Sequence, residues 1–183
     1  MKHLFCFLLT VALFSISSTV FAANDKVNKT GATLPNGASS LSETFSLWTV
    51  NCAIQNGEKA CALIRQEVNN QNQPVISMNV STNSDGNVTG VLVVPFGILV
   101  SKPVELQVDE TKTIIQTSVR TCTPLGCIVP IAFDKNAIVA LRAGKQLNVK
   151  ATSAGSGEPV LTNLFVQLEG FGSALDRLNT LKK

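Results

Sequence analysis

The chain has 183 residues, 45% of them hydrophobic, with 15 Lys and Arg against 12 Asp and Glu. This near-balance, with no basic block, excludes the electrostatic footprint of a nucleic-acid-binding protein. The single histidine, His3, lies in the first apolar segment. Once that segment is removed, neither Ser-His-Asp nor Cys-His catalysis nor an imidazole-ligated metal is available.

The first segment reads as a signal peptide. Lys2 and His3 give a short basic start, Leu4 to Val20 is dominated by apolar and small residues, and Val20-Phe21-Ala22 supplies a cleavage site. The expected cut follows Ala22, with Ala23 as the alternative. An uncleaved anchor is the rival reading, but the run is near the lower length limit for spanning and only one lysine precedes it. Cys6 lies too early for a lipoprotein cleavage cysteine, and no cysteine stands near Ala22. Beyond this segment Val91 to Val94 and Ile98 to Val100 are short and are separated by Pro95-Phe96-Gly97. The mature chain is therefore expected to carry no transmembrane segment.

Residues 23–43 are rich in Asn, Thr, Gly, Ser and Lys and read as a flexible lead-in. From there, residues 44–183 read as one all-β domain of short apolar runs cut by turn residues. Asn56-Gly57 is a favoured two-residue type I′ turn. Centring a hairpin on it sets Gln55 against Glu58, Cys52 against Cys61 and Val50 against Leu63. Trp48, Val50 and Cys52 then share one face, which points to the core. Arg65, opposite Trp48 in this register, either stacks on the indole or extends to solvent at the sheet edge.

Further strands are predicted at Val75–Val80, Val88–Val94, Val104–Val108, Thr113–Thr121 and Cys127–Phe133. Gln146–Thr152 and Val160–Glu169 follow, around a turn at Ser153 to Gly157. The Val88–Val94 run is apolar enough to be buried on both faces. Pro124 and Gly126 suit a type I turn before Cys127. Asp134 can cap a short helix over Lys135–Ala143 that stops at Gly144. Ser173 with Asp176 can start a C-terminal helix, with Ala174, Leu175 and Leu178 on one stripe.

Four cysteines follow the export signal: Cys52, Cys61, Cys122 and Cys127. An even count in an exported chain implies disulfides. Zinc is the rival reading, but the two spacings lack the tight C-x2-C knuckles of common structural sites. Cys122 and Cys127 have neither C-x-x-C spacing nor a helix N-terminus nor a nearby histidine to lower a thiol pKa. They therefore read as a structural staple. Asp109-Glu110 is the tightest carboxylate pair. Neighbouring strand residues point to opposite faces, so a solvated turn is the expected reading. No catalytic, cofactor-binding or metal-binding residue is predicted, and the chain is expected not to be an enzyme.

Several segments resemble the invasion-associated locus B family of alphaproteobacteria. They are Trp48 with Cys52 and Cys61, Val93-Val94-Pro95-Phe96-Gly97-Ile98-Leu99, Val104 to Asp109, Cys122-Thr123-Pro124-Leu125-Gly126-Cys127, and Leu168-Glu169-Gly170-Phe171 with Ala174, Leu175 and Leu178. The likeness runs from Phe45 to Leu178, and no single motif carries it alone. Ser101-Lys102-Pro103 departs from the pattern. The resemblance implies an exported protein with no established catalytic residues, in a family named for a member linked to invasion of host erythrocytes.

Together these readings predict a single antiparallel β-sandwich with one short helix and a C-terminal helix, stapled by two disulfides. The expected location is periplasmic or secreted. The expected function is that of a non-enzymatic envelope or secreted factor, acting in host-cell invasion or envelope interactions through an unknown protein or cell-surface partner. The alternative is a periplasmic ligand- or glycan-binding module.

Overall fold

The computed structural model describes residues 32–155 and 161–182. The predicted signal peptide and its cleavage site lie outside the described residues, as does part of the turn expected after Ser153. Eleven strands and two α-helices follow in the order β1 (Ser40–Phe45), β2 (Trp48–Gln55), β3 (Glu58–Val68), β4 (Pro74–Thr82), β5 (Val88–Val94), β6 (Val104–Val108), β7 (Ile115–Thr117), β8 (Thr121–Thr123), β9 (Gly126–Phe133), α1 (Lys135–Ala143), β10 (Gln146–Thr152), β11 (Leu161–Gln167) and α2 (Phe171–Lys182). Two antiparallel sheets result. The larger has the order β1-β2-β3-β4-β5-β9-β8 and the smaller β11-β10-β6-β7.

The first hairpin forms as its turn dictates. Asn56 and Gly57 both take positive φ, 52° and 81°, as a type I′ turn requires. The register sets Gln55 against Glu58, Cys52 against Cys61 and Val50 against Leu63. Cys52 and Cys61 are bonded, with Cα atoms 4.1 Å apart, and both are buried. Cys122 and Cys127 form the second disulfide, closing the β8–β9 hairpin with Cα atoms 3.9 Å apart.

The inner face of the large sheet carries Trp48, Val50, Leu63, Ile76, Met78, Leu92, Val129 and Phe133, all buried. Two units cover it side by side. The small sheet, facing inward with Val104, Leu106, Leu147, Val149 and Val166, packs over β3, β4 and β9. Helix α2 lies over β1, β2 and β3 with Phe171, Ala174, Leu175, Leu178 and Leu181 turned in. Helix α1 begins at Asp134, whose carboxylate accepts from Ala137 N at 2.8 Å, and it ends at Gly144.

A hydrogen-bonded seam joins the two sheets beside α2. Trp48 Nε1 donates to Gln167 O at 3.0 Å, and Gln167 N donates to Glu67 Oε1 at 2.7 Å. Arg65 grips the same carboxylate with Nε at 2.8 Å and Nη2 at 2.5 Å, and donates to Leu47 O through Nη1 at 3.2 Å. Arg65 thus takes neither of its two expected positions. The guanidinium turns inward to a buried carboxylate, and the Trp48 ring instead meets Phe171 edge-on, with centroids 5.0 Å apart.

Four further expectations are corrected. Strand β1 starts at Ser40, inside the segment read as a flexible lead-in. Its inward positions are Leu41, Glu43 and Phe45, and the charge in the middle hides the alternation. The Thr113–Thr121 run is two strands in different sheets. Ile115–Thr117 pairs with β6, and Thr121–Thr123 pairs with β9. Thr117 Oγ1 donates to Pro130 O at 2.7 Å where the chain crosses. Strand β5 is buried through Val88, Leu92 and Val94, whereas Val91 and Val93 are only half-buried on the other face. Helix α2 starts at Phe171 rather than Ser173. Gly170 turns the chain into it at φ 87°, and an added Cβ there would fall 2.1 Å from Phe45 O.

Asp176 has a different task from the capping role expected of it. It pairs with Arg142 of α1 at 2.6 Å, and Arg177 pairs with Glu43 of β1 at 2.6 Å. Hydrogen bonds from Arg177 hold the Glu43 carboxyl below its ordinary range, with burial opposing and the arginine charge adding to the effect. Arg142 lowers Asp176 in the same way. Lys182 Nζ donates to Thr82 O and Lys59 Nζ to Leu181 O, fastening the far end of α2.

Two outcomes are expected. Glu67→Ala strands the Arg65 charge and the Gln167 N–H, and should cost about 3–5 kcal/mol in urea denaturation. Glu67→Gln keeps an acceptor and should cost less; equal losses for the two would reject the ion-pair account. A carboxyl whose folded pKa is lowered contributes stability above its unfolded pKa, lost as pH falls through the folded value. Glu43→Gln combined with Asp176→Asn should therefore flatten the loss of stability below about pH 4, measured by thermal melting across an acid series.

Candidate contact surface

One end of the sandwich presents apolar side chains to solvent. Strand β5 leaves the large sheet at Pro95-Phe96-Gly97. Gly97, at φ 86°, reverses the chain, and its carbonyl accepts from Ala154 N at 2.6 Å. Leu99 N donates to Thr152 O at 2.8 Å, so this loop is pinned to the end of β10. Phe96 remains 60% exposed. Next to it, the β8–β9 hairpin turns through Pro124 and Leu125 between the disulfide-bonded Cys122 and Cys127. Gly126 packs so closely that an added Cβ would lie 2.6 Å from Val94 O. Leu125, at the tip, is 87% exposed.

A groove of about 250 Å³ runs here, lined by Val75, Val93, Pro95, Phe96 and Leu125. Val75 also lines a notch of about 220 Å³ with Val68 and Phe165, which are 49% and 45% exposed. Phe165 in turn borders a wider depression of about 700 Å³ over the outer face of the small sheet. The notch shares lining residues with each of the other two, so the three form one band, apolar at the stapled hairpin and polar over β6, β10 and β11.

The four predicted cysteines therefore have different settings. Cys52–Cys61 lies in the core, whereas Cys122–Cys127 staples the apolar end, with Cys122 exposed and Cys127 buried. The Asp109-Glu110 expectation is corrected in half. Glu110 is exposed, but the Asp109 carboxylate accepts from Lys145 N at 3.0 Å and Gln146 N at 3.0 Å. Asp109 sits at φ 47° and clamps β6 to the start of β10. Among the described residues no group of three His, Cys, Asp or Glu could hold a metal ion, and no helix is long and apolar enough to cross a membrane.

The exposed Phe96, Leu125 and Phe165 escaped the sequence reading. Phe165 stood at an outward position of a predicted strand, a signal that alternation alone could have given. Phe96 and Leu125 lay within recognised turns, where nothing local distinguishes a side chain packed back on the sheet from one held in water.

The family model described as "Invasion associated locus B (IalB) protein" matches residues 48–179. Invasion protein B of Bartonella bacilliformis is 55% identical over the whole of both chains. An invasion protein B homolog of Brucella abortus is 37% identical, covering 89% of this chain and 93% of that protein. Among solved structures, the crystal structure of invasion associated protein b from Bartonella henselae is similar with a TM-score of 0.75 and 59% identity. That likeness covers 78% of this chain and 97% of the solved one.

Because Phe96 and Leu125 lie outside the core, Phe96→Ser with Leu125→Ser should leave the denaturation midpoint nearly unchanged, within about 0.5 kcal/mol per site. Binding of a hydrophobic dye by the folded protein should fall. A large loss of stability would show that these side chains serve packing instead.

Proposed function

We propose that this chain, which belongs to the invasion associated locus B family, works as an exported, non-enzymatic envelope or secreted factor. It acts by surface contact, in host-cell invasion or in interactions of the envelope, on a protein or cell-surface partner. Export rests on residues 1–22 as a signal peptide cut near Ala22, leaving a lead-in that ends where β1 joins the large sheet at Ser40 and the contact domain from there on. Two disulfides suit the oxidising compartments beyond the cytoplasm. The names of the Bartonella and Brucella relatives, invasion protein B and its homolog, support the invasion side of the reading.

The observation that carries the reading is the stapled apolar end. Leu125 is 87% exposed on a two-residue turn closed by a disulfide, beside an exposed Phe96. Apolar anchors held rigid before binding lose little conformational freedom on contact. Placed beside a groove, they form the kind of patch that marks an interaction site.

The test compares the mature protein, wild type and Phe96→Ser/Leu125→Ser, for saturable binding to two preparations: host-cell membranes and outer-membrane vesicles. Binding to at least one, lost in the double variant, is the expected result. Absence of binding to both, or binding that ignores the variant, rejects the reading. Fractionation of the producing cell, with mass measurement of the mature N-terminus, checks export separately.

A further inference from the structure

We propose that the depression over the small sheet is a binding site for an uncharged, polyhydroxylated ligand, the chemistry of a neutral glycan chain. Its floor is an ordered grid of amides. Asn148 of β10 stands between Gln107 of β6 and Phe165 of β11, and Lys150 stands beside Asn163 in the next row. Gln146 continues the β10 line. Rows repeat about 6.7 Å along a strand and about 4.8 Å across strands, wider than vicinal hydroxyls on one ring and closer to the repeat of successive units in a sugar chain.

The side chains are held at one end and offered at the other. Gln146 Nε2 donates to Asn148 Oδ1 at 2.7 Å, and Asn148 Nδ2 to Asp109 O at 2.7 Å. Gln107 Nε2 donates to Thr111 O at 2.6 Å, and Lys150 Nζ to Gln107 Oε1 at 3.3 Å. Each amide retains a second N–H or an oxygen lone pair that these bonds do not use. An amide both donates and accepts, as a hydroxyl does, so hydroxyls on successive sugar units match the chemistry of this surface. Fixing the amides in advance lowers the ordering cost of binding.

Charge selects the class of ligand. Lys145 and Lys150 stand against Asp109 and Glu110 around the depression. The two signs balance, and the Asp109 carboxylate is further occupied by backbone N–H groups. An anionic ligand would need an excess of cations, which is absent. A purely apolar ligand would leave the outward amide groups without partners. The exposed Phe165 ring borders the amides and offers an apolar face to the C–H side of a pyranose. At about 700 Å³ the depression falls within the ordinary range for ligand sites, about 300–1,000 Å³.

This inference goes beyond the apolar-end reading and does not depend on it. The test titrates the mature protein with neutral linear tetrasaccharides of glucose, mannose, galactose and N-acetylglucosamine, alongside a sulfated heparin tetrasaccharide, followed by NMR. At least one neutral sugar is expected to bind saturably at millimolar concentration or below, shifting the side-chain amides of Gln107, Asn148 and Asn163. Asn163→Ala and Phe165→Ala, both at exposed sites, should each weaken that binding about tenfold with unchanged melting. Phe96→Ser/Leu125→Ser should leave it intact, so failure of one reading stays separate from failure of the other. Binding of no neutral sugar, binding of the sulfated one only, or shifts confined to other residues would overturn the proposal.

Discussion

The buried carboxylate of Glu67 is the constraint around which the sandwich closes. It lies at the end of β3, where the strand outruns its partner β2 and its register against β4 shifts at Glu67/Val68. A lone carboxylate there would be costly to bury. Arg65, two residues back on the same face, supplies the charge. The backbone of β11 supplies an N–H, and Trp48 caps the carbonyl of that same residue, Gln167. Both outward main-chain groups of an edge strand are thus satisfied by the opposite sheet. The Trp48 ring, held by this bond, is the wall against which Phe171 of α2 packs. One polar cluster therefore sets the sheet spacing, closes part of an open edge and positions the helix that covers the remaining half of the large sheet. Burial of apolar surface drives the collapse, but it is non-directional and would not by itself choose this alignment.

How far the chain could be read in advance follows from the range of the interactions involved. The Asn56-Gly57 hairpin and the Asp134-capped helix were legible residue by residue, because each depends on backbone preferences within a few positions. Strand β1 was not, since Glu43 breaks its inward stripe, and its partner Arg177 arrives from the far end of the chain. The split of residues 113–121 was hidden for a related reason. No Gly or Pro marks the crossing, and the change of sheet is imposed by the partners β6 and β9. The inward turn of Arg65 was not legible, because Glu67 becomes a buried acceptor only when Gln167 of β11 arrives from the other sheet.

The candidate surfaces were harder to read than the fold. The Cys122–Cys127 spacing did announce a stapled turn. The exposure of Leu125 depends on how that turn meets β5, through the close contact of Gly126 with Val94. The amide grid depends on the registers of three strands brought together from distant parts of the sequence. Gln107, Asn148 and Asn163 each look like ordinary outward polar residues in isolation, and only the pairing of β6, β10 and β11 turns them into one floor.

The two disulfides show how the same bond serves two ends. Each closes a short loop already shaped by a two-residue turn, so the reduction in unfolded-chain entropy is modest, about 2–3 kcal/mol in the simple loop-closure account. Position then matters more than energy. Cys52–Cys61 sits in the core near the C-terminal turn of α2, where Lys59 reaches Leu181 O, and it reinforces packing already in place. Cys122–Cys127 has one half-cystine in the core, Cys127, and the other exposed. With the staple on one side and the Gly126 contact on the other, the hairpin lacks the freedom to fold Leu125 back into the groove beside Val75 and Val93. An apolar side chain kept in water at the tip of a covalently closed turn is at odds with solubility and gains nothing for the core. The proposed contact with a partner outside the chain would give that arrangement a physical reason.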